Sequence, residues 1–525
     1  MTEASQYQLR TRKKSNQARE IASVEDHLHH KRPRSTLSRK LKSIPALELP
    51  TFPLDIWRRI FSMLPNSRLL RLSATSSAFY KIVPFIVCDD VELSVENYAY
   101  FAKYAHCIKK LFVRIMPNGL DVRRVKIYQH LSNLVVFRLE MYYKPVTHIK
   151  RIIDLLSSSL RLLEFHLDYT GERWTFKFDD IEPSDIFKNL PAQCHMYVTI
   201  RMEQNAILLL EDMFKYHSQS LIGLSITQHD YHDNERLIPL LRTATFLKRL
   251  SFHFPCSSTV MNNVLASISC LPLEYLEICA KNGLDQSIST GFPSLKCLTL
   301  FYMDKDFDFD YHLSSNLLCL QINGAMHENN LFSLRKLENL REFSWKQCHI
   351  PENMIITRCE DSGFLHFNDK KMAAFKLEKV SQVHISFASY HMSLLSEETS
   401  TNFFFFLFGM FPQVKRLKIE VGYSLSWTPL LIHLSGLKQV SIFYGVCGDV
   451  TPDLIDKCFN MFPQLAALQL QLESPNGNDL VDVIRRFPSG FPYQIVRRYG
   501  SMVRSDDPIP DIKWIKNVGD PLHFL

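Results

Sequence analysis

The 525-residue chain is 46% hydrophobic and 22% charged, with 16 Gly and 25 Pro, which excludes collagen-like and wholly disordered classes. Its formal charge of +7 is accounted for by residues 1–43, where 11 Lys and Arg stand against four acids, and the remainder is balanced. A folded body without net charge has no bulk attraction for a polyanion. The longest apolar run, Phe403 to Phe411, is far shorter than the roughly 20 residues of a membrane helix, so no membrane is expected.

In chain order, residues 1–47 read as a disordered basic tail, polar and nearly free of aromatics. It has no apolar stretch behind Arg10, Arg12, Lys13 and Lys14, and so does not read as a secretory signal. Lys31, Arg32 and Arg34 lie seventeen residues or so after Arg12-Lys13-Lys14, a spacing compatible with nuclear import. The expected location is therefore nuclear and/or cytoplasmic. Twelve cysteines without a C-x-x-C pair argue against a disulfide framework or zinc ribbon and for a reducing compartment.

Residues 48–92 form a compact apolar block. Ile56, Ile60 and Leu64 recur at helical spacing on one face, Pro65-Asn66 breaks that helix, and Leu69, Leu72, Phe79 and Ile82 begin another. Helices of this length rarely bury enough surface alone and keep apolar residues for a partner.

From about residue 93 to 475 a pattern recurs: apolar, two residues, apolar, one residue, apolar. Thirteen matches run from Ile108-Leu111-Val113 to Leu465-Leu468-Leu470, including Leu134-Phe137-Leu139, Leu162-Phe165-Leu167 and Leu437-Val440-Ile442. Most spacings lie at 22 to 31 once a weak unit at Met196-Val198-Ile200 is counted. That period suits a solenoid in which each unit gives one short parallel strand and returns by a helix or irregular segment. Three units open alike, at Phe292-Pro293, Phe411-Pro412 and Phe462-Pro463, where proline closes the return before the strand. Ser258 or Thr259 heads an apolar face of Val260, Val264, Ile268 and Leu271, and Thr451-Pro452 heads Leu454, Cys458 and Met461, which predicts two return helices. The long interval after Leu340 predicts an insertion around Pro351 to Met372. Residues 476–525 are expected to supply a cap and tail.

Two resemblances follow. The repeats resemble the leucine-rich-repeat family, which implies an α/β solenoid with a parallel strand ladder. The block Phe52-Pro53-Leu54-Asp55-Ile56-Trp57, with Ile60, Leu64, Leu69-Leu70-Arg71-Leu72 and Phe79, resembles an F-box. That resemblance implies a small all-α domain docking a Skp-type adaptor, and through it a cullin-RING ligase core. The contacts carried over are Phe52, Pro53, Leu54, Ile56, Ile60, Leu64, Leu69, Leu72 and Phe79.

The combination implies the substrate-recognition subunit of an SCF-type E3 ubiquitin ligase, the repeats holding a target protein. A scaffold without a ligase role is the alternative. Target contacts are expected between the last two apolar positions of each unit, including Arg138, His166, Glu277, Gln321, His384, Lys418 and Gln469, with Phe112 and Ser441 in the same set. No phosphate-cradling glycine motif, nucleophile elbow or H-E-x-x-H occurs, so no catalytic residue, metal or cofactor is expected and catalysis would be borrowed. Nucleic-acid recognition is disfavoured, since no zinc module or basic heptad follows the tail. Cys297 and Cys319 share a phase in successive units and are predicted to stack, as reduced thiols half-facing solvent.

Overall fold

A computed structural model describes residues 54–64, 79, 83–84, 88, 90–93, 98–115, 125–142, 146–156, 158–168, 185–202, 206–228, 234–253, 258–279 and 292–303. It further describes 315–325, 333–349, 356–358, 364–367, 370–373, 375–387, 397–421, 433–434, 436–447, 452–472, 485–489, 491–497 and 502–504. The chain divides into two compact units, residues 1–63 and 64–525. The first contributes one described helix, α1 (Leu54–Ser62).

The second is built on a ladder of strands. Its strands are β1 (Asp90–Leu93), β2 (Lys110–Ile115), β3 (Val136–Tyr142), β4 (Leu162–Asp168), β5 (His195–Met202), β6 (Leu221–Gln228), β7 (Arg249–His253) and β8 (Tyr275–Cys279). It continues through β9 (Cys297–Met303), β10 (Cys319–Ala325) and β11 (Glu342–His349). An insertion follows, β12 (Ile356–Arg358), β13 (Phe364–Phe367) and β14 (Lys370–Ala373), paired antiparallel as a separate sheet. The ladder resumes with β15 (Gln382–Phe387), β16 (Arg416–Val421), β17 (Ile442–Cys447), β18 (Ala467–Leu472) and β19 (Tyr493–Arg497). Every ladder strand to β19 pairs parallel with the next, and β20 (Met502–Arg504) turns back antiparallel on β19. The ladder thus overruns both ends of the 93–475 span predicted from the apolar template.

Alternation along each strand sends one set of side chains to the core. Leu250, Leu276, Leu298, Leu320, Phe343, Val383, Leu417, Phe443 and Leu468 stand side by side in register, each at most 1% exposed. Each buries about 1.5–3 kcal/mol of apolar side chain, and neighbours sit one strand spacing of ~4.8 Å apart. The returns close this core. Helices α2 (Tyr98–Lys103), α3 (Val146–Ile153), α4 (Ala206–His217), α5 (Asn234–Thr243), α6 (Ser258–Ile268), α7 (Glu397–Gly409) and α8 (Pro452–Met461) alternate with strands. Both helices predicted from capping signals are present: Val264, Ile268 and Leu271 are buried at α6, and Leu454 and Cys458 at α8.

A short turn prepares many strands. Leu295 N donates to Phe292 O (3.2 Å), Val414 N to Phe411 O (3.4 Å) and Leu465 N to Phe462 O (2.9 Å), so the three Phe-Pro openings make the same bend. Val440 N donates to Leu437 O in the same way (3.4 Å). Leu437 is therefore the turn residue of its unit, and the strand core is Val440, Phe443 and Gly445 instead of Leu437, Val440 and Ile442. Ser441 lies before β17, and Tyr444 takes the ladder position expected of it, between Lys418 and Gln469.

The start of the ladder needs a similar correction. Val135 and Val136 N–H groups donate to Lys109 O, and Arg161 and Leu162 N–H groups donate in turn to Val135 O. This pairs Glu140, not Arg138, with His166, while Arg138 pairs with Glu164.

Candidate functional site

Helix α1 carries one broad apolar arc, part of it buried and part of it exposed. Trp57 and Phe61, one turn apart, are buried and stacked with ring centroids 5.2 Å apart. On the adjoining flank of that arc Ile56 and Ile60 remain 43% and 41% exposed, and Met63 beyond the helix is 83% exposed. Three large apolar side chains at i, i+4 and i+7 facing water are costly unless a partner covers them. Leu64 is half-buried, as is Phe79. Leu54 begins the helix, while Phe52, Pro53, Leu69 and Leu72 lie outside the described residues, as do Lys31, Arg32 and Arg34.

The second surface is the strand face opposite the apolar rows. One row runs, by register, through Glu140, His166, Thr199, Ser225, Ser251, Glu277, Thr299, Gln321, Ser344, His384, Lys418, Tyr444 and Gln469. Six of the seven partner-contact candidates fall in it, and Arg138 stands in the adjacent row. Their access differs. His166, Gln321, Lys418 and Gln469 are half-buried, whereas His384 is nearly closed off, 5% exposed, beside the fully buried Ser344.

Ion pairs knit this face. Arg114 Nε donates to Glu140 Oε2 (2.9 Å), and Arg138 lies 3.5 Å from both Glu140 and Glu164. The Phe112 ring sits between the Arg114 and Arg138 guanidiniums, at 5.2 and 5.0 Å. Glu277 accepts from Tyr275 OH (2.8 Å) and contacts His253 Nε2 (3.1 Å). Burial opposes the charge of His253, yet hydrogen bonds to Cys279 and Glu277 overcome it and carry its pKa to about 9. His166 goes the other way, because burial outweighs its acidic neighbours and lowers its pKa.

Further along, His384 Nε2 lies 3.4 Å and Lys418 Nζ 2.6 Å from Glu420. Burial raises the Glu420 carboxyl, but the close approach of His384 and Lys418 wins and brings it to about 2. Cys297 and Cys319 are direct register partners and free thiols, as the stacking expectation has it. They are buried, 1% and 3% exposed, instead of half-facing solvent, since Tyr275 and Glu342 flank them in the same row.

Residues 49–84 match the family model of the F-box domain. The chain carries an F-box. The F-box is followed by a ladder whose parallel strands recur mostly every 20 to 28 residues, which is leucine-rich-repeat architecture. A comparison with curated proteins gives no match. Among solved structures, a crystal structure of a TLR13–ssRNA13 complex is similar at 12% identity and a TM-score of 0.30, over 73% of this chain and 62% of that one. This chain thus spans less than two thirds of that chain's length. Among the described residues, no helix is long and apolar enough to cross a membrane.

The one-row template missed what the neighbouring rows bring to the same face. Arg249 and Tyr275 join Arg138 and Glu164 in one row, and Arg201 and His253 lie in another. Two-residue alternation along the strand, applied to Leu250 and Phe252, marks Arg249 as outward-facing and would have found it.

Proposed function

We propose that this F-box protein is the substrate-recognition subunit of an SCF-type ubiquitin ligase. Its F-box would dock the Skp-type adaptor, and the polar face of its ladder would hold a target protein. The observation that carries the reading is the exposed Ile56, Ile60 and Met63 stripe inside a segment that matches the F-box family. Phe52, Pro53, Leu54, Leu64, Leu69, Leu72 and Phe79 are the further adaptor contacts proposed. Catalysis would be borrowed: the ladder raises the effective concentration of target lysines near a ubiquitin thioester carried elsewhere in the complex.

The test is co-purification from cells. Wild type should recover a Skp-type adaptor and a cullin, and Ile56→Asp with Ile60→Asp should lose both while the ladder stays folded. Unchanged recovery by the double variant sinks the ligase reading and leaves a repeat scaffold. We also propose the basic tail as a nuclear address, in which case replacing Lys31, Arg32 and Arg34 by Ala shifts the protein to the cytoplasm without loss of adaptor.

A further inference from the structure

The polar face is not uniform. Between β3 and β8 it sinks into a cleft of about 470 Å³ lined by Arg138, Glu164, Tyr197, Arg201, Arg249 and Glu277, among others. The floor in its middle is made of short side chains, Thr199, Ser225 and Thr227, with Gly223 beside the Tyr197 ring. A depression exists here because these four residues stand between strands carrying Arg, Glu and Tyr. Gly223 cannot be replaced without cost, since a Cβ there would strike the Tyr197 ring.

The charges in the cleft are matched, with one exception. Arg114 and Arg138 neutralise Glu140 and Glu164, His253 neutralises Glu277, and Arg201 lies 3.8 Å from Asp168. Arg249 has no carboxylate within ion-pairing distance among the described residues. Its guanidinium lies 4.3 Å from the centre of the Tyr275 ring, which fixes the plane of the fork without satisfying its N–H groups. A half-buried guanidinium with no carboxylate partner among the described residues favours an incoming anion.

We propose that this cleft reads a single carboxylate of the target, an aspartate or glutamate side chain of an extended protein segment, on Arg249. Floor hydroxyls of Thr199 and Ser225 add hydrogen bonds. The proposal rests on the ladder being the target-binding surface. A monoanion balances the one unpaired guanidinium, whereas a phosphate dianion would leave a negative charge among Glu140, Glu164 and Glu277. A nucleic-acid strand, which in duplex form carries a charge every ~1.7 Å, would meet one unpaired guanidinium here and not a basic stripe.

The full-length protein is tested against immobilised degenerate peptides that differ only at a fixed central Glu, Gln or phosphoserine. Wild type should retain the Glu series about tenfold or more over the Gln series. Arg249→Gln should level the two, and Arg249→Lys, a point charge without the fork, should keep part of the preference. Ser225→Asp, which places an anion on the floor, should abolish it while the thermal transition stays cooperative. Equal retention of Glu and Gln by wild type, a stronger preference for phosphoserine, or displacement by a single-stranded RNA oligomer overturns the proposal. Ile56→Asp with Ile60→Asp separates the two readings: loss of adaptor with the Glu preference intact upholds the cleft, and a protein that recovers adaptor without discriminating peptides refutes the cleft alone.

Discussion

His253 and Glu277 form a residue pair whose chemistry sets a pH dependence. With hydrogen bonds to Cys279 and Glu277 overcoming burial, His253 is held at about 9 against an ordinary value of 6.5. A raised folded pKa means the folded state binds the proton more tightly, so its stabilisation is complete below 6.5 and is lost as pH rises to about 9. Denaturation midpoints should therefore fall between about pH 7 and about pH 9.5 in the wild type, and less steeply in His253→Gln. Equal slopes would mean the pair contributes nothing over that window. Asp212 illustrates a structural carboxylate, 5% exposed, that accepts the backbone N–H groups of Asp185, Ile186 and Phe187 at 2.6, 2.7 and 3.2 Å. It pins the segment before β5 to α4, where Asp185 holds a positive φ of 67°. Asp212→Ala should cost about 3 kcal/mol, read from the denaturation midpoint, because three donors lose a charged acceptor. Asn, which keeps one oxygen, should cost less.

At the scale of the element, β17 separates two readings of the same residues. Leu437-Val440-Ile442 satisfies the apolar template, but Leu437 closes the preceding turn and Phe443 is the fully buried strand residue. Ile442 instead lies half-buried on the polar face between Arg416 and Ala467. Phe443→Ala should therefore cost about 3–5 kcal/mol and Ile442→Ala about 1 kcal/mol or less; the reverse order would restore the template register. The case shows what the sequence can and cannot make legible. Apolar spacing located most ladder strands because burial is all that it reports, but it cannot tell a turn leucine from a strand leucine at the same spacing. It passed over β1, whose first apolar position is Cys88, and β19, where Gly490 stands in the place of Leu465. The candidate row was largely readable from alternation, whereas the cleft was not. It depends on which rows six strands bring side by side, and a pairing shift near Met196 and Tyr197 sets that.

Over the whole molecule, charge and stability are distributed differently. Residues 1–43 carry the net charge, and the rest of the chain is balanced. Stability in a ladder is a chain of neighbour contacts, so each end needs a closure. At the C-terminal end this is aromatic. Phe487 stacks on Tyr493 at 4.1 Å, Phe491 packs on Phe459 of α8 at 4.9 Å, and β19 covers the edge of β18. The three-residue β20 then turns back antiparallel, so the last open edge is short, which limits pairing with other chains. A protein ending at residue 484 loses Phe487, Phe491, Tyr493 and both final strands, leaving β18 unpaired on one side and Phe459 uncovered. Amide exchange should then quicken through β17, α8 and β18, fade by β11, and leave β2 to β9 at wild-type rates, because each unit feels chiefly its neighbours. The truncated protein should also aggregate at concentrations where wild type does not. Uniform acceleration along the ladder would instead show one cooperative body, and the end block would be a keystone of the whole fold more than a local cap.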